Sequence, residues 1–204
     1  VPGGEVLLEG AGLGAPGAAA ERFELALQRA PVAGPFSLTG SLEGVAAGPL
    51  RVKRVELKAN GTQEEHSLAL KAKWKGGQAE AAASGGLAAG HWEGVLVRAF
   101  GRDERYGGWR MEAPAALSYG RRGGELFGLV LDSDLGERLA ASAQISGGRE
   151  GRASLEWKGF NLSRLKIWLP KAQPQGESSG RLAWQRKGGQ DHLQLAGGVE
   201  GQFK

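Results

Sequence analysis

Apolar and polar residues alternate one by one through most of this chain. Between Leu68 and Trp74 every second residue is apolar, and Lys71 and Lys73 occupy positions between them. Successive residues of a β-strand point to opposite faces, so this period predicts strands with one apolar and one solvated face. Antiparallel sheets commonly show the pattern, whereas buried parallel strands read as continuous apolar runs. The same period recurs at residues 36–43, 109–113, 139–145, 153–157, 182–184 and 193–195.

Glycine separates these runs. The chain has 36 glycines among 204 residues, about two and a half times the average share. Asn-Gly and Gly-Gly pairs accept the positive φ angles that tight hairpin turns require. Turn signals of this kind stand at Asn60-Gly61, Lys75-Gly76-Gly77, Ser84-Gly85-Gly86, Arg122-Gly123-Gly124, Gly147-Gly148 and Lys187-Gly188-Gly189. Roughly a dozen strands at this spacing are typical of a meander, a sandwich, a barrel or a β-solenoid.

Two segments depart from strict alternation. The apolar residues change phase between Leu50 and Leu57, which predicts a β-bulge near Lys53-Arg54. In 161–169 the leucines recur at helical spacing, Asn161 is a candidate N-cap and Pro170 ends the run. We therefore predict one short helix or helical turn there.

A glycine-rich stretch matches a cofactor-binding fingerprint. Residues 12–17 fit G-x-G-x-x-G, and residues 18–30 could supply the helix that follows it in dinucleotide-binding folds. Phe23, Leu25 and Leu27 alternate equally well as a strand, and no further strand-helix alternation follows. We therefore expect residues 18–30 to form a strand, and we expect no cofactor-binding site.

The remaining acidic and histidine motifs predict no catalytic or metal-binding residues. Asp132-Ser133-Asp134 resembles a metal-binding pair, but a hairpin turn explains the same residues. Glu65 and His66 are neighbours, so a strand would point them to opposite faces. There is no cysteine and no G-x-S-x-G nucleophile motif. An enzyme is accordingly not expected.

The charge and hydropathy patterns limit the partners. The formal net charge is +4 with both signs mixed along the chain, so no nucleic-acid-binding arm is indicated. No apolar run reaches the ~18 residues of a transmembrane helix. We interpret residues 1–204 as a single β-rich segment, a fragment of a longer repeating protein whose anchor lies outside this chain.

From about Leu38 onward, the order of several short motifs resembles a known family. Asn60-Gly61-Thr62 precedes His66-x-Leu68-x-Leu70, and Trp92-x-Gly94-x-Leu96 follows Gly85-Gly86. Further on come 108–115, then Leu162-x-x-Leu165-x-x-x-Leu169-Pro170, then Gly180-Arg181-Leu182. This arrangement is similar to that of the TamB and AsmA-like family, which belongs to the translocation and assembly module of the bacterial envelope.

The resemblance implies a fold and a function. The family's fold is an all-β, antiparallel, open β-groove, a taco-like and solenoid-like curved sheet. The implied protein is non-enzymatic, spans the periplasm, is anchored to the inner membrane and works with an outer-membrane Omp85-type barrel protein. Its apolar groove would shield or conduct phospholipid acyl chains and support outer-membrane biogenesis.

One parity of the strands would line this groove, with the lysines Lys71, Lys73 and Lys75 facing water. The candidate lining residues are Leu68, Leu70, Ala72, Trp74, Trp109, Met111, Leu155, Trp157, Leu182 and Trp184. A purely structural spacer with a closed core is one alternative. A chaperone-like scaffold that offers strand edges to outer-membrane proteins during assembly is the other.

Overall fold

The computed structural model describes residues 4–15, 18–30, 34–47, 50–104, 107–167 and 174–203. These residues form fourteen β-strands and one 3₁₀ helix. The strand pairs are antiparallel and the sheet is not closed into a barrel, which confirms the predicted open, all-β fold class. The chain divides into two compact units, Val1–Arg105 and Tyr106–Lys204.

The first unit contains seven strands in sequence order. Each strand pairs with the next along the chain, and β1 pairs with β2 alone. The strands are β1 (Gly4–Ala15), β2 (Ala18–Arg29), β3 (Phe36–Ala47), β4 (Leu50–Gly61), β5 (His66–Trp74), β6 (Gly77–Ala88) and β7 (His91–Asp103). Strands that are consecutive in the sequence are therefore also neighbours in the sheet, and each hairpin joins two strands that pair with each other.

The second unit repeats this plan with one interruption. Two short strands, β8 (Gly107–Met111) and β9 (Ala115–Gly120), pair with different parts of the same neighbour. That neighbour is β10 (Gly123–Ser133), and the order continues through β11 (Arg138–Ser146), β12 (Glu150–Asn161), β13 (Pro174–Lys187) and β14 (Gln190–Phe203). The 3₁₀ helix, Leu162–Ile167, leads out of β12.

The register aligns apolar residues in rows that run across the strands. In the first unit one row joins Leu8, Leu25, Gly40, Leu57, Leu70, Ala81 and Ala99. In the second unit a row joins Leu129, Ala141, Leu155, Leu182 and Leu195. A one-residue slip would turn each strand's apolar set to the other face, so the alternation in the sequence fixes this register.

No second layer covers these rows within either unit, as far as the described residues show. The buried hydrophobic residues of the described part of the chain include only four core residues, Ala20, Ala59, Ala115 and Leu162, in addition to Pro174. Leucines in the middle of the face remain open to solvent: Leu70 is 43% exposed and Leu155 is 36% exposed. Each unit is therefore a one-layer sheet with an exposed apolar face, rather than a sandwich around a core.

The structure confirms three of the local predictions that fall on described residues. Residues 18–29 form β2, so the dinucleotide-binding interpretation is excluded there. The pairing of β4 with β5 shifts register between Val52 and Arg54, which is the predicted bulge. The side chain of Asn161 accepts a hydrogen bond from the Ser163 N–H at 2.9 Å and caps the 3₁₀ helix. Residues 168–170 of the predicted helical segment lie outside the described residues.

One predicted turn is wrong. Gly85 and Gly86 lie inside β6, and the turn follows at Ala89-Gly90 instead. A Cβ on Gly86 would approach the Glu64 carbonyl oxygen to 1.9 Å, and one on Gly85 would approach the Glu93 carbonyl oxygen to 2.3 Å. These glycines therefore allow close backbone packing within the sheet, a role that the sequence cannot distinguish from a turn.

The outer edges of β1 and β14 generate a prediction, since each strand is paired on one side only. Unpaired strand edges bind other edges, and charged residues placed on an edge oppose this. We expect the chain to self-associate as its concentration rises, and Leu7→Lys on β1, where the native side chain is 57% exposed, to weaken this. Sedimentation velocity measures the effect, with Leu135→Lys in an exposed turn as control. A monomer at every concentration would contradict the prediction.

Candidate functional site

The predicted lining residues of the first unit share one face of β5. Leu68, Leu70 and Ala72 pair with Ala59, Leu57 and Val55 of β4 on one side, and with Ala83, Ala81 and Ala79 of β6 on the other. Trp74 continues the same face to the end of the strand. The alanine side chains of β6 are shorter than the leucine side chains of β5 and cover little of their surface. This difference accounts for the exposure of Leu70.

In the second unit the structure groups the predicted residues in three rows. Leu155 pairs with Leu182, Trp157 lies opposite Leu139 and Gly180, and Trp184 lies opposite Ala153 and Leu193. Met111 pairs with Leu131 at the near end of the Trp157 row. Leu193 and Leu195 on the last strand are 67% and 71% exposed. This unit also presents an apolar face that is open to solvent.

Each of five aromatic rings on these faces lies against a glycine of a neighbouring strand. A Cβ added at Gly151 would lie 2.8 Å from the Trp184 ring, and one at Gly180 would lie 2.6 Å from the Trp157 ring. The five pairs are Phe23 on Gly10, Trp74 on Gly77, Trp92 on Gly85, Trp157 on Gly180 and Trp184 on Gly151. Glycine thus lets each ring lie flat on the sheet and cover the bare backbone.

The indole N–H groups of these tryptophans have fixed partners. Trp74 donates to Asp103 at 2.7 Å, Trp157 to the Ser178 hydroxyl at 2.8 Å and Trp184 to Asp191 at 3.1 Å. Trp92 donates to His66 Nε2 at 2.7 Å. A ring held both by a glycine beneath it and by a hydrogen bond at its edge loses little further freedom when a ligand contacts it.

His66 is therefore a structural residue. Its Nε2 accepts from Trp92, so its Nδ1 carries the proton that it shares with the Thr62 carbonyl oxygen at 3.0 Å. Its ring also contacts Phe36, with 5.8 Å between centroids. No group of three metal-ligating side chains occurs in the described parts of the chain.

Trp109 differs from the other predicted lining residues because a cation covers it. The Arg164 guanidinium lies 5.3 Å from the centre of its ring. Arg164 Nε donates to Glu137 Oε1 at 2.7 Å, and its Nη2 donates to Glu137 Oε2. Both charged residues are buried. This bidentate pair attaches the 3₁₀ helix to the turn between β10 and β11.

Glu137 remains ionised despite this burial. Burial by itself would raise the pKa of the Glu137 carboxyl, but four other effects outweigh it. Hydrogen bonds from Arg164, the Asn161 N–H and the Ser133 hydroxyl, together with attraction to the Arg164 charge, lower the pKa below its ordinary value of 4.5. No sequence motif predicts this cluster, because Glu137 and Arg164 are 27 residues apart.

The opposite face is polar and carries ion pairs, most of which join neighbouring strands. Arg54 contacts Glu43 and Glu56, Lys71 contacts Glu80, and Arg138 contacts Glu112 and Asp132. A depression of about 540 Å³ lies on this face in the second unit, among Glu125, Gln144, Arg152, Gln185 and His192. Trp184 borders it, and the other nine predicted lining residues do not. The predicted residues thus form open faces rather than a pocket.

Comparison with known proteins identifies one family. The family model for the TamB N-terminal domain matches residues 29–202. Searches of curated proteins and of solved structures gave no match. None of the helices described here is long and apolar enough to span a membrane.

The aromatic–glycine pairs generate a prediction about stability. Gly151→Ala places a methyl group against the Trp184 ring, which its bond to Asp191 restrains. We expect this overpacking to lower the free energy of unfolding by about 1–3 kcal/mol. Gly198→Ala is the matched control, since a Cβ there would have nothing within 4 Å. Urea unfolding followed by tryptophan fluorescence measures both, and an equal effect of the two would contradict the packing argument.

The buried ion pair generates a prediction about pH. Because the pKa of Glu137 is lowered on folding, its contribution to stability is complete above pH 4.5 and is lost as the pH falls through the folded-state value. We expect Glu137→Gln to cost about 3 kcal/mol at neutral pH, since it removes the negative charge that the buried Arg164 guanidinium contacts. It should also flatten the acid dependence of stability.

The control for this experiment is Glu112→Gln. Glu112 also pairs with an arginine, but its side chain is 49% exposed, and exposed pairs contribute about 0–1 kcal/mol. Urea midpoints measured over a pH series compare the two variants. If both lose the same stability, the Glu137–Arg164 pair does not anchor the helix.

Proposed function

The chain belongs to the TamB N-terminal domain family, and from this premise we propose that its apolar faces cover phospholipid acyl chains. Members of the family are envelope components of the translocation and assembly module and work with an outer-membrane Omp85-type partner. The family is a transport and assembly component and is not a known enzyme family. The proposed setting is the periplasm, with the full-length protein anchored in the inner membrane and supporting outer-membrane biogenesis.

The observation that carries this proposal is the open apolar face itself. In both units rows of leucine, valine and alanine continue from strand to strand, and the described residues place no layer over them. Large exposed apolar patches on soluble proteins mark interaction sites. A lipid tail gains about 0.8 kcal/mol for each methylene that leaves water, so it requires continuous cover of this kind.

A structural spacer fits these units less well. Its apolar residues would pack together in a closed core, whereas Leu70, Leu155 and Leu195 remain exposed. The scaffold alternative draws support from one observation: the consecutive residues Leu7 and Leu8 are both exposed, one on each face of β1, whose outer edge is unpaired. An extended client segment could add to that edge by strand pairing. If a substitution in β1 abolished client binding and left lipid binding intact, this result would favour the scaffold alternative.

A carboxylate in the lipid path tests the proposal. In Leu70→Asp and Leu155→Asp the new charge keeps water because both sites are partly exposed, so folding should suffer little. Acyl-chain binding should fall at least about tenfold, equivalent to ~1.4 kcal/mol, because each charge interrupts the apolar cover. Thr39→Asp on the polar face, opposite Lys58, is the control. Photo-crosslinkers at positions 70 and 155 should capture phospholipid.

Two results would count against the acyl-chain proposal. One is the absence of captured lipid at both positions in a folded protein. The other is failure of both aspartate variants to accumulate while the control accumulates normally, because a closed core would impose the full desolvation penalty on a buried charge.

A further inference from the structure

We propose that the depression on the polar face of the second unit binds an extended, uncharged oligosaccharide. This face is opposite to the proposed acyl-chain surface, so the inference goes beyond the proposed function and does not depend on it. The depression has a volume of about 540 Å³, which falls within the ~300–1,000 Å³ of typical ligand sites. We refer to it as the polar depression.

One polar side chain from each of five strands borders the polar depression, and the register places these side chains in a row. The row consists of Glu125 on β10, Gln144 on β11, Arg152 on β12, Gln185 on β13 and His192 on β14. Each member pairs directly with the next, so all five leave the sheet on the same side. Four strand spacings separate the first from the last, so the row extends over about 19 Å.

A second row on the same face carries mostly small side chains. Its members also pair from strand to strand and border the depression: Ser142, Ser154, Ala183 and Gln194. They lie two positions along their strands from the first row, so they leave the sheet on the same side. The short serine and alanine side chains on β11, β12 and β13 leave space above the sheet, and the longer side chains of the first row border that space.

A β-bulge adds an aromatic ring to this polar face. The pairing of β10 with β11 shifts register after Leu126, so Phe127 and Gly128 together lie opposite Ser142. Gly128 has a φ of +77°, and its N–H donates to the Ser142 hydroxyl at 3.4 Å. The pairing with β9 is unbroken from Glu125 to Phe127, so both side chains leave the sheet on the same side. The Phe127 side chain is 71% exposed at the border of the depression. The bulge thus presents an apolar platform beside polar groups.

The carboxylates and guanidinium groups around the depression are equal in number. Arg181 borders it and pairs with Glu156 at 3.4 Å, and the Glu125 carboxylate accepts a hydrogen bond from the Gln144 amide. Arg152 is exposed and has no ion-pair partner among the described residues. An anion or a cation therefore gains little net attraction here, and the site favours an uncharged ligand that the Arg152 guanidinium can bind by hydrogen bonds.

The chemistry of these side chains matches a chain of sugar rings. Amide and hydroxyl side chains both donate and accept hydrogen bonds, as sugar hydroxyls do. A sugar ring also has an apolar face of C–H groups, and the electron-rich face of the Phe127 ring attracts such groups. Because the polar row crosses five strands over about 19 Å, it fits an extended chain of several rings better than a single sugar.

Isothermal titration calorimetry of the full chain with cellohexaose, a flat and extended oligosaccharide, tests the site. We expect a Kd below about 1 mM that salt leaves unchanged, because the ligand carries no charge. Maltohexaose has the same composition but coils, so it should bind at least about tenfold more weakly. Chitohexaose carries N-acetyl groups and separates two sources of the ligand. Tighter binding than that of cellohexaose supports an amino-sugar glycan, and weaker binding supports a glucan.

Two substitutions test the residues that carry the proposal. Phe127→Ala and Arg152→Gln should each weaken cellohexaose binding about tenfold, and both native side chains are exposed, so folding should not suffer. Tyr119→Ala is the aromatic control, since Tyr119 is 73% exposed and pairs with Gly124, which places it on the other face. Lys158→Gln is the charge control, on the same strand and face as Arg152 but outside the depression. Both controls should stay within about twofold of the wild type.

Several results would overturn the oligosaccharide site. They are no detectable binding of cellohexaose at about 1 mM, an equal loss in Phe127→Ala and Tyr119→Ala, and binding of an extended Ser-Gly peptide in place of the sugar. Leu155→Asp should leave cellohexaose affinity unchanged, because Leu155 lies in the apolar row on the other face. If Leu155→Asp weakens cellohexaose binding, the sugar lies on the apolar face and the site is wrong. The acyl-chain function is measured with lipid, so either proposal can fail while the other stands.

Discussion

The stability of each unit depends on contacts made within one face of one layer. The described residues place nothing over the leucine rows, so each apolar side chain is covered only by its cross-strand neighbours. Such neighbours contribute roughly 0.2–1 kcal/mol per pair. The antiparallel ladder and many small lateral contacts therefore replace a conventional core, and the face is left free for another apolar surface.

This constraint explains where glycine and tryptophan occur. A bare glycine in an uncovered strand would expose backbone and leave a gap, and a flat indole from the next strand fills that gap, as Trp157 does over Gly180. In the second unit a short helix between β12 and β13 places Arg164 over the Trp109 ring. A buried Glu137–Arg164 pair holds it, with the Asn161 N–H and the Ser133 hydroxyl satisfying the same carboxylate.

The alternating pattern was sufficient to predict strands, faces and the bulge at Val52, because a period of two has one structural meaning in an antiparallel sheet. It could not separate a turn glycine from a packing glycine, so Gly85-Gly86 was assigned wrongly. The pattern also grouped Trp109 with the exposed lining residues. The contact between Trp109 and Arg164 joins residues that are distant in the sequence, so the alternation does not reveal it.

The sequential strand order has a consequence for how such a unit can change in evolution. In the first unit each strand pairs only with its chain neighbours, so a duplicated hairpin could be inserted there without repacking any distant strand. One hairpin would lengthen the sheet by about 10 Å. Insertions would have to come in pairs of strands, because a single added strand would reverse the direction of every later one. The sheet should therefore gain or lose strands in pairs, one hairpin at a time.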